Sequence, residues 1–438
     1  MAKVKEQESI PVTKVQRATK FITTGARIGG NYLKHYGKKL VNPELTKDQL
    51  HQDNASDIYK SLSQLKGSAL KIAQMLSMDK NLLPTAYQNQ FALAQYSAPP
   101  LSYPLVVRTF EKYFKKRPNE IFDTFTQSAR NAASMGQVHE ATLKGKKLAV
   151  KIQYPGVGDS VKSDLAMVKP IALRMFNLNA SEYDEYILEV QTRMLEEADY
   201  SLELERSMNL SVRCKDIQNL VFPTYYPAFS SDKILTMDWL EGKTLGEFLK
   251  TETLSKVEAN RIGQAMWDFY HFQIHQLKEL HADPHPGNFI ITKEKKLGII
   301  DFGCVKVIPA DFYPQYFQLL EKDILQDNAK LEKAFYELRF IYEDDSAKDK
   351  KFFIEIFAQL VELLGRPFRT KEFDFDDKAY FESIYLFGER LSKLKELRES
   401  KKARGVKHAI YINRTYFGLY NLLHDLKAKV NTASWVPF

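Results

Sequence analysis

Apolar residues recur at alternating four- and three-residue steps through Ile58, Leu62, Leu65, Ala69, Ile72 and Leu76. That spacing puts one face of a helix against a core and predicts a helix over 55–79, with Ser56 as its cap. Gly67, Lys71 and Gln74 lie off this stripe and share another face. A second helix is expected after Pro84, a break over Ser97–Pro104 and a short helix over 105–116. From 121 the period changes. FDTFTQSA, VHEATL and LAVKIQY read as strands, with a turn at Lys144–Lys147 between the last two. An acid-rich helical region over 157–206 leads to two more strands, LVFPTYYP and KILTMDWL. The pattern is helical from Gly242 to about 280. HADPHPGNFI reads as a loop entering a strand, and KLGIIDFGCVKVI as strand, turn at Asp301–Gly303 and strand. Beyond 311 only helices and polar connections are expected.

Composition narrows the class. The 438 residues are 44% hydrophobic and 27% charged, which excludes a mostly disordered chain. No apolar run approaches the ~18–20 residues needed to span a bilayer. The opening MAKVKEQESI lacks the apolar core of a secretory signal. Two cysteines, Cys214 and Cys304, are too few for a disulfide framework, so a reducing, cytoplasmic setting is expected. Lys and Arg outnumber Asp and Glu by 63 to 55, a net charge of +8. The excess is concentrated between Glu8 and Glu44, which holds Lys14, Arg17, Lys20, Arg27, Lys34, Lys38 and Lys39 and no acid. Gly25, Gly29 and Gly30 are expected to interrupt any helix there, leaving 1–54 as a basic arm. Such an arm gains roughly 1 kcal/mol per cation near an anionic membrane, so it is either a peripheral membrane contact or a solvated tail. Nucleic acid is not expected as a partner, because no recognised module or aromatic-rich basic strand is present.

The strongest chemistry lies in Asp283, Asn288 and Asp301. Phosphoryl transfer needs a carboxylate near the attacking oxygen and oxygen ligands for Mg²⁺ on the nucleotide phosphates. An Asp five residues before an Asn, then a strand running into Asp-Phe-Gly, is the order in which protein kinases present them. Here Asp283 precedes Asn288 by five, and Gly298-Ile299-Ile300 leads into Asp301-Phe302-Gly303. Lys151, in Ala149-Val150-Lys151, is the candidate phosphate-binding lysine. Glu196, Glu197 and Glu203 are the glutamates available to orient it. The loop before it runs from Asn131 through Ala132, Ala133, Ser134, Met135, Gly136 and Gln137 to Val138. Set against a glycine-rich phosphate loop, only Gly136 and Val138 match, so phosphate is expected to be held in a different manner. His281 and His285 flank Asp283. Two imidazoles and a carboxylate could bind zinc; the preferred reading is that His281 braces the loop backbone while His285 lines the site or faces solvent.

These residues carry a resemblance. The chain resembles the AarF-domain, UbiB-like atypical kinases linked to ubiquinone and isoprenoid-lipid metabolism, over roughly 55–310. The family's alanine-rich loop is similar to Ala132-Ala133-Ser134-Met135-Gly136-Gln137-Val138-His139, and its lysine strand to Val150-Lys151-Ile152-Gln153-Tyr154-Pro155-Gly156. Its lysine–glutamine helix resembles Lys71-Ile72-Ala73-Gln74, with Ala73 where the family has glycine, and its acidic motif resembles Glu197-Ala198-Asp199. The resemblance implies that Lys151 pairs with Glu203, that Lys71 and Gln74 sit near Glu197 and Asp199, and that the 55–110 helices cover the cleft where a protein kinase admits peptide. Asp199 and Glu203, four apart, share a helix face, while Glu197 does not, so a kink or frayed end is needed for both to reach a site.

No Ala-Pro-Glu follows Gly303, and helix is expected by about 311, which leaves no peptide platform. The stretch His281–Asn288 also looks like the catalytic loop of aminoglycoside and choline phosphotransferases. A nucleotide-binding scaffold without turnover is a third reading. The expectation is an α+β, two-lobed protein-kinase-like fold. Its parts are a basic arm (1–54), a helical extension (55–116), an N-lobe (117–238), a C-lobe (239–345) and a C-terminal helical region (346–438). Backbone at Met237, Trp239 and Leu240 is expected to meet adenine of ATP or ADP, with Asn288 and Asp301 on Mg²⁺ and Asp283 at the nucleophile. The expected activity is ATP hydrolysis or phosphorylation of a lipid or isoprenoid small molecule.

Overall fold

The computed structural model describes residues 14–42, 48–65, 101–133, 135–176, 180–394, 396–397, 402 and 404–435. The chain divides into two compact units. One comprises Met1–Leu204, Tyr225–Trp239 and Leu391–Lys401; the other comprises Glu205–Thr224, Leu240–Arg390 and Lys402–Phe438.

In the first unit the basic segment is one continuous helix, α1 (Lys14–Val41), and not a loose arm broken at its glycines. Gly25, Gly29, Gly30 and Gly37 each weaken a helix interior by about 1 kcal/mol. Tertiary contacts offset this loss. Arg17 Nε donates to Asp164 Oδ1 at 2.7 Å, and its Nη2 bonds Oδ2, both side chains being buried. This pins α1 to α5 (Val157–Phe176). Asn31 Nδ2 donates to Asn54 Oδ1 at 3.0 Å and Asp57 Oδ2 at 2.9 Å, which ties α1 to α2 (Asp48–Leu65). Helix α2 begins before the expected 55, so Ser56 lies inside it and caps nothing. Leu50 and Asn54, both buried, extend the packed face toward the N-terminus. The remainder of the 55–79 helix, the helix after Pro84 and residues 97–100 of the break lie outside the described residues.

Helix α3 (Tyr103–Phe114) and the short α4 (Pro118–Ile121) precede an antiparallel sheet. Its strands are β1 (Thr124–Phe125), β2 (Asn131–Ala133), β3 (Gly136–Leu143), β4 (Lys146–Gln153) and β6 (Ile234–Asp238). Their order is β1-β3-β4-β6, with β2 also on β3. FDTFTQSA thus contributes only a two-residue strand. The β3–β4 turn is Lys144–Gly145, both at positive φ (51° and 75°), the geometry of a tight two-residue hairpin. One face of β4, Val150 and Ile152, packs with Val106 and Phe110 of α3. The other presents Ala149 toward Tyr200 and Met237. The acid-rich region is three helices and not one: α5, α6 (Ala180–Glu197) and α7 (Tyr200–Arg213).

In the second unit, β5 (Leu220–Val221), β7 (Gly242–Thr244), β9 (Phe289–Thr292) and β10 (Leu297–Ile299) form a sheet in the order β5-β10-β9-β7. LVFPTYYP is therefore not one strand. Leu220–Val221 runs parallel to β10, and Pro223, with no N–H to donate, ends the ladder. The stretch after Gly242 opens with β7 and then continues as α8 (Leu245–Thr251) and α9 (Lys256–Phe272). Thr244 with Glu247, and Ser255 with Glu258, close capping boxes at the two helix starts. Helix α9 supplies the core with Ile262, Met266, Trp267, Phe269 and Tyr270. It runs on as a wide π turn, Gln273–Leu277, ended by Lys278 at φ 55°. A two-stranded ladder pairs β8 (Glu279–His281) with β11 (Val305–Val307). Helices α10 (Phe312–Phe317), α11 (Asn328–Glu337), α12 (Ala347–Gly365), α13 (Lys378–Lys393) and α14 (Lys407–Asp425) follow. The region beyond 311 also holds a ladder that helices and loops alone did not anticipate, β12 (Glu372–Asp374) on β13 (Lys429–Asn431).

Burial drives several histidines below their ordinary value of 6.5: His271 far below, His275 to about 3, and His139 in the first unit also downward. Each stays neutral when folded and binds a proton once unfolded. The stability it contributes is present above pH ~6.5 and is lost as pH falls toward its folded value. Each group adds roughly 1.4 kcal/mol per pH unit to the acid slope. In His275→Asn, urea denaturation between pH 5.5 and 4 should show a slope lower by about that amount. An unchanged slope would contradict the neutral, buried state.

Candidate functional site

In the first unit β4 carries Lys151 in register with Val138 on β3 and Leu235 on β6. Its ammonium, 5% exposed, lies 2.7 Å from Glu203 Oε1 and 2.9 Å from Oε2, and Glu203 is 1% exposed. Of the three glutamates the spacing left open, Glu203 is the one beside the lysine. The Lys151 Nζ also sits 5.0 Å from the centre of the Tyr200 ring, one helical turn before Glu203 on α7. The Glu203 carboxylate and the Tyr200 ring together fix the direction of this ammonium.

The alanine-rich segment is a hairpin. Ala132 pairs with Gln137, and Ala133 with Gly136. Ser134 lies outside the described residues, and Met135 is buried. Gly136 has no room for a Cβ, which would strike the Ile152 carbonyl and come within 2.7 Å of the Tyr200 hydroxyl. Behind the hairpin Gln137 Oε1 accepts from Leu101 N at 2.6 Å, while its Nε2 meets His139 Nε2 at 2.9 Å. His139 Nδ1 donates to the Thr126 carbonyl at 2.7 Å, since a carbonyl only accepts.

Glu197 is buried at the end of α6, and the chain breaks at Ala198–Asp199 before α7. Asp199 is exposed, and its Oδ1 accepts from Ser201 N (3.0 Å) and Leu202 N (3.2 Å). It caps α7 and does not share a helix face with Glu203, because a capping residue lies outside the helical repeat. Lys71 and Gln74 lie outside the described residues. At the expected adenine-binding stretch, Met237 pairs with Ala149, and the Trp239 N–H donates to Lys147 O at 3.1 Å. The chain passes from the first unit to the second between Trp239 and Leu240.

In the second unit two ladders converge. The Ala282 N–H donates to Cys304 O at 2.9 Å beyond the β8–β11 pair, and Ile300 N to Asn288 O at 3.2 Å beyond the β9–β10 pair. Asp283, Asn288 and Asp301 are thereby brought together. Asn288 Nδ2 donates to the Asp283 carbonyl (3.0 Å) and to its Oδ2 (3.2 Å). With its nitrogen so engaged, the Asn288 amide oxygen is the end left to accept. Asp301 Oδ1 accepts from Gly303 N at 2.9 Å. An amide oxygen beside a carboxylate is the hard-oxygen donor set Mg²⁺ takes. His281 Nε2 donates to Asp301 O at 2.7 Å, and Tyr270 OH lies 3.2 Å from His281 Nδ1. Burial, with the Asp283 charge, pushes the Tyr270 phenol well above its ordinary value, so it stays a donor to His281. His285 Nδ1 accepts from Gly287 N at 3.1 Å. Among the described residues no three His, Cys, Asp or Glu side chains are grouped to hold a metal.

Two residues escaped the sequence reading. Tyr200 could have been found from its three-residue spacing to Glu203. Arg414 on α14, whose Nη2 donates to Asp283 Oδ1 at 3.2 Å, gave no local signal, being 131 residues away.

A sequence model of the ABC1 atypical kinase-like domain matches residues 93–335. An aarF domain-containing protein kinase of Arabidopsis thaliana chloroplasts is 30% identical over 298 residues, 66% of this chain and 41% of that one. The atypical kinase COQ8 of Saccharomyces cerevisiae mitochondria is 28% identical over 391 residues, 86% of this chain and 76% of its own. The chain thus spans less than half of the first relative and about three quarters of the second. In fold it is similar to the solved Rv3197–erythromycin complex from Mycobacterium tuberculosis, with a TM-score of 0.59 at 23% identity, covering 88% of this chain and 95% of that one. The fold is thus the expected α+β kinase-like one, and the chain belongs to the ABC1, or AarF-domain, family of atypical kinase-like proteins.

Proposed function

We propose that the chain binds ATP with Mg²⁺ and either hydrolyses it or phosphorylates a small molecule, in the service of isoprenoid-quinone or lipid metabolism. The observation that carries this reading is the Asp283–Asn288–Asp301 cluster. Lys151, held by Glu203, contacts the α- and β-phosphates. Asn288 and Asp301 would hold the metal, which would neutralise phosphate charge. Asp283 orients the attacking hydroxyl or water and takes its proton, and Arg414 fixes the direction of that carboxylate. The quinone link rests on the family resemblance.

A small acceptor is favoured over a protein. Past Gly303 the chain enters β11 at once and reaches α10 at Phe312, so no segment is left to seat a peptide. The same loop suits an aminoglycoside- or choline-type phosphotransferase. The buried Lys151–Glu203 pair argues against a scaffold without turnover only in part, since a scaffold also needs phosphate contacts.

Asp283→Asn should lower nucleotide turnover at least a hundredfold while leaving Mg²⁺–nucleotide affinity within a factor of about three. Asp301→Asn should abolish the Mg²⁺ dependence of that affinity, read by calorimetry. Glu203→Gln removes the carboxylate that meets the buried Lys151 ammonium and should destabilise the fold by about 3–5 kcal/mol in denaturant titration. Turnover that survives Asp283→Asn at the parent rate would remove Asp283 from the role of base, and absence of turnover in the parent chain, with and without lipid-like phenols, would remove the enzyme reading.

Peripheral membrane contact is supported by α1. Ile22, Leu33 and Tyr36 are 71%, 78% and 50% exposed and fall within one narrow arc of the helix, while exposed Arg27, Lys34 and Lys38 lie about 120–160° round from Ile22. Apolar and cationic faces side by side suit an anionic bilayer surface. No described helix is long and apolar enough to cross a membrane. Ile22→Ser with Leu33→Ser should cut co-sedimentation with anionic liposomes severalfold; sedimentation equal to the parent chain would make this face merely solvated.

A further inference from the structure

A cavity of about 590 Å³ lies in the second unit, and none of Asp283, Asn288 and Asp301 lines it. That volume is within the range of small-molecule sites. Gln264, Ala265, Asp268 and Phe272 line it from one face of α9, four residues or one step apart along the helix. The Trp435 ring meets Phe272 edge to face at 6.1 Å, and Ile217 adds an aliphatic side chain from the loop after α7. Two rings and two aliphatic groups thus surround one carboxylate.

Asp268 is half-buried, and its two oxygens differ. Oδ1 accepts from both Trp435 Nε1 (2.8 Å) and Gln264 Nε2 (3.0 Å). Gln264 is not free to turn away, because its amide also accepts from Asn431 N (2.7 Å) and donates to Asn431 O (3.1 Å). Oδ2 has no partner among the described residues, and the two donors on Oδ1 are neutral, so the carboxylate has no counter-charge. Burial raises its pKa against the pull of those donors, a sign that its charge is under-compensated. Such a group attracts a cation, and its geometry selects which kind. A guanidinium fork takes both oxygens of a carboxylate, and Oδ1 already has two donors; an ammonium, a compact point charge, needs only Oδ2. Arg213 and Arg261 also line the cavity, but both are exposed and engaged elsewhere, Arg213 with Glu279 (3.4 Å) and Arg261 with Lys295 O (3.2 Å). Arg261 is seven residues from Asp268, about 10 Å along α9. Salt screens exposed charges over about 8 Å, so a cation touching Oδ2 feels Asp268 far more strongly than Arg261.

We propose that this cavity binds a small organic amine in its ammonium form, with the charge on Asp268 Oδ2 and an apolar body against Phe272 and Trp435. The site is built by two parts of the chain, α9 and the C-terminal segment. Lys429 N fastens that segment to Asn260 Oδ1 at 2.8 Å, ahead of the Asn431 and Trp435 contacts.

Calorimetry on the full chain tests this with four separate probes: 2-phenylethylamine, 2-phenylethanol, which lacks the charge, ethylamine, which lacks the ring, and 2-phenylethylguanidine. The first should bind about tenfold or more tightly than each of the others. That comparison is made on the parent chain and does not depend on any variant's folding. Asp268→Asn keeps an oxygen for Trp435 and Gln264 but removes the charge, and should weaken 2-phenylethylamine about tenfold or more with thermal unfolding unchanged. Phe272→Leu, a milder change, should weaken 2-phenylethylamine severalfold and leave ethylamine as it was. No binding of 2-phenylethylamine at millimolar concentration would overturn the proposal. So would equal affinity for the alcohol, for ethylamine or for the guanidine, or an affinity that neither variant alters.

Discussion

Taking a lysine ammonium out of water is costly unless a counter-charge meets it, and the packing around Lys151 is arranged around that constraint. Lys151 sits within β4, paired with β3 and β6 on either side, and is 5% exposed. Its carboxylate must therefore come from another layer, and α7 supplies it. The break at Ala198–Asp199 follows from the same need. After the break a fresh helix start, capped by Asp199, presents Tyr200 and Glu203 to Lys151. Gly136 is part of the same packing, since any side chain there would collide with the Tyr200 hydroxyl that flanks the lysine.

In the second unit the constraint is backbone register. Catalytic side chains on loops are placed accurately only if the loop ends are fixed. Here four short strands do this in two ladders, each continued by one hydrogen bond past the last paired residue. The histidine between them adds a third tie. A carbonyl acceptor at Asp301 forces the His281 proton onto Nε2, and a phenol that burial keeps protonated satisfies Nδ1. The π turn before β8 belongs to this arrangement: Gln273, buried within it, accepts from His281 N at 3.1 Å and donates to Phe269 O at 3.0 Å.

What was legible in the sequence was whatever has a short-range signature. The β3–β4 hairpin, the strand into Asp301 and the five-residue step from Asp283 to Asn288 depend on neighbours in the chain. The pairing of Lys151 with Glu203 was legible only through family resemblance; spacing alone left three glutamates open. The misreadings share a different cause. Glycines argued against a helix at 14–41 because propensity is local, whereas the Arg17–Asp164 pair that compensates spans 147 residues. LVFPTYYP looked like one strand because hydrophobicity does not say which sheet will claim it, and Pro223 divides it. Arg414 was invisible for the same reason as Arg17: its partner is distant, and nothing around it repeats.

Arg414 also changes what the C-terminal helices are for. They lie beyond the matched ABC1 domain, which ends at 335, and could be taken as a stabilising appendage. Yet α14 carries an arginine to the Asp283 carboxylate, and Gly418 on the same helix leaves space only for Pro284, whose ring a Cβ there would strike. The loop holding the proposed base is thus gripped from outside as well as through its own ladders. A charge-assisted hydrogen bond from Arg414 to one carboxylate oxygen and a hydrogen bond from the Asn288 amide nitrogen to the other leave Asp283 little rotational freedom. A general base gains from such restraint because the geometry it must reach is set before substrate arrives. The C-terminal region thus helps to set the direction of the proposed base, through the Arg414 guanidinium and the close packing of Gly418 on Pro284.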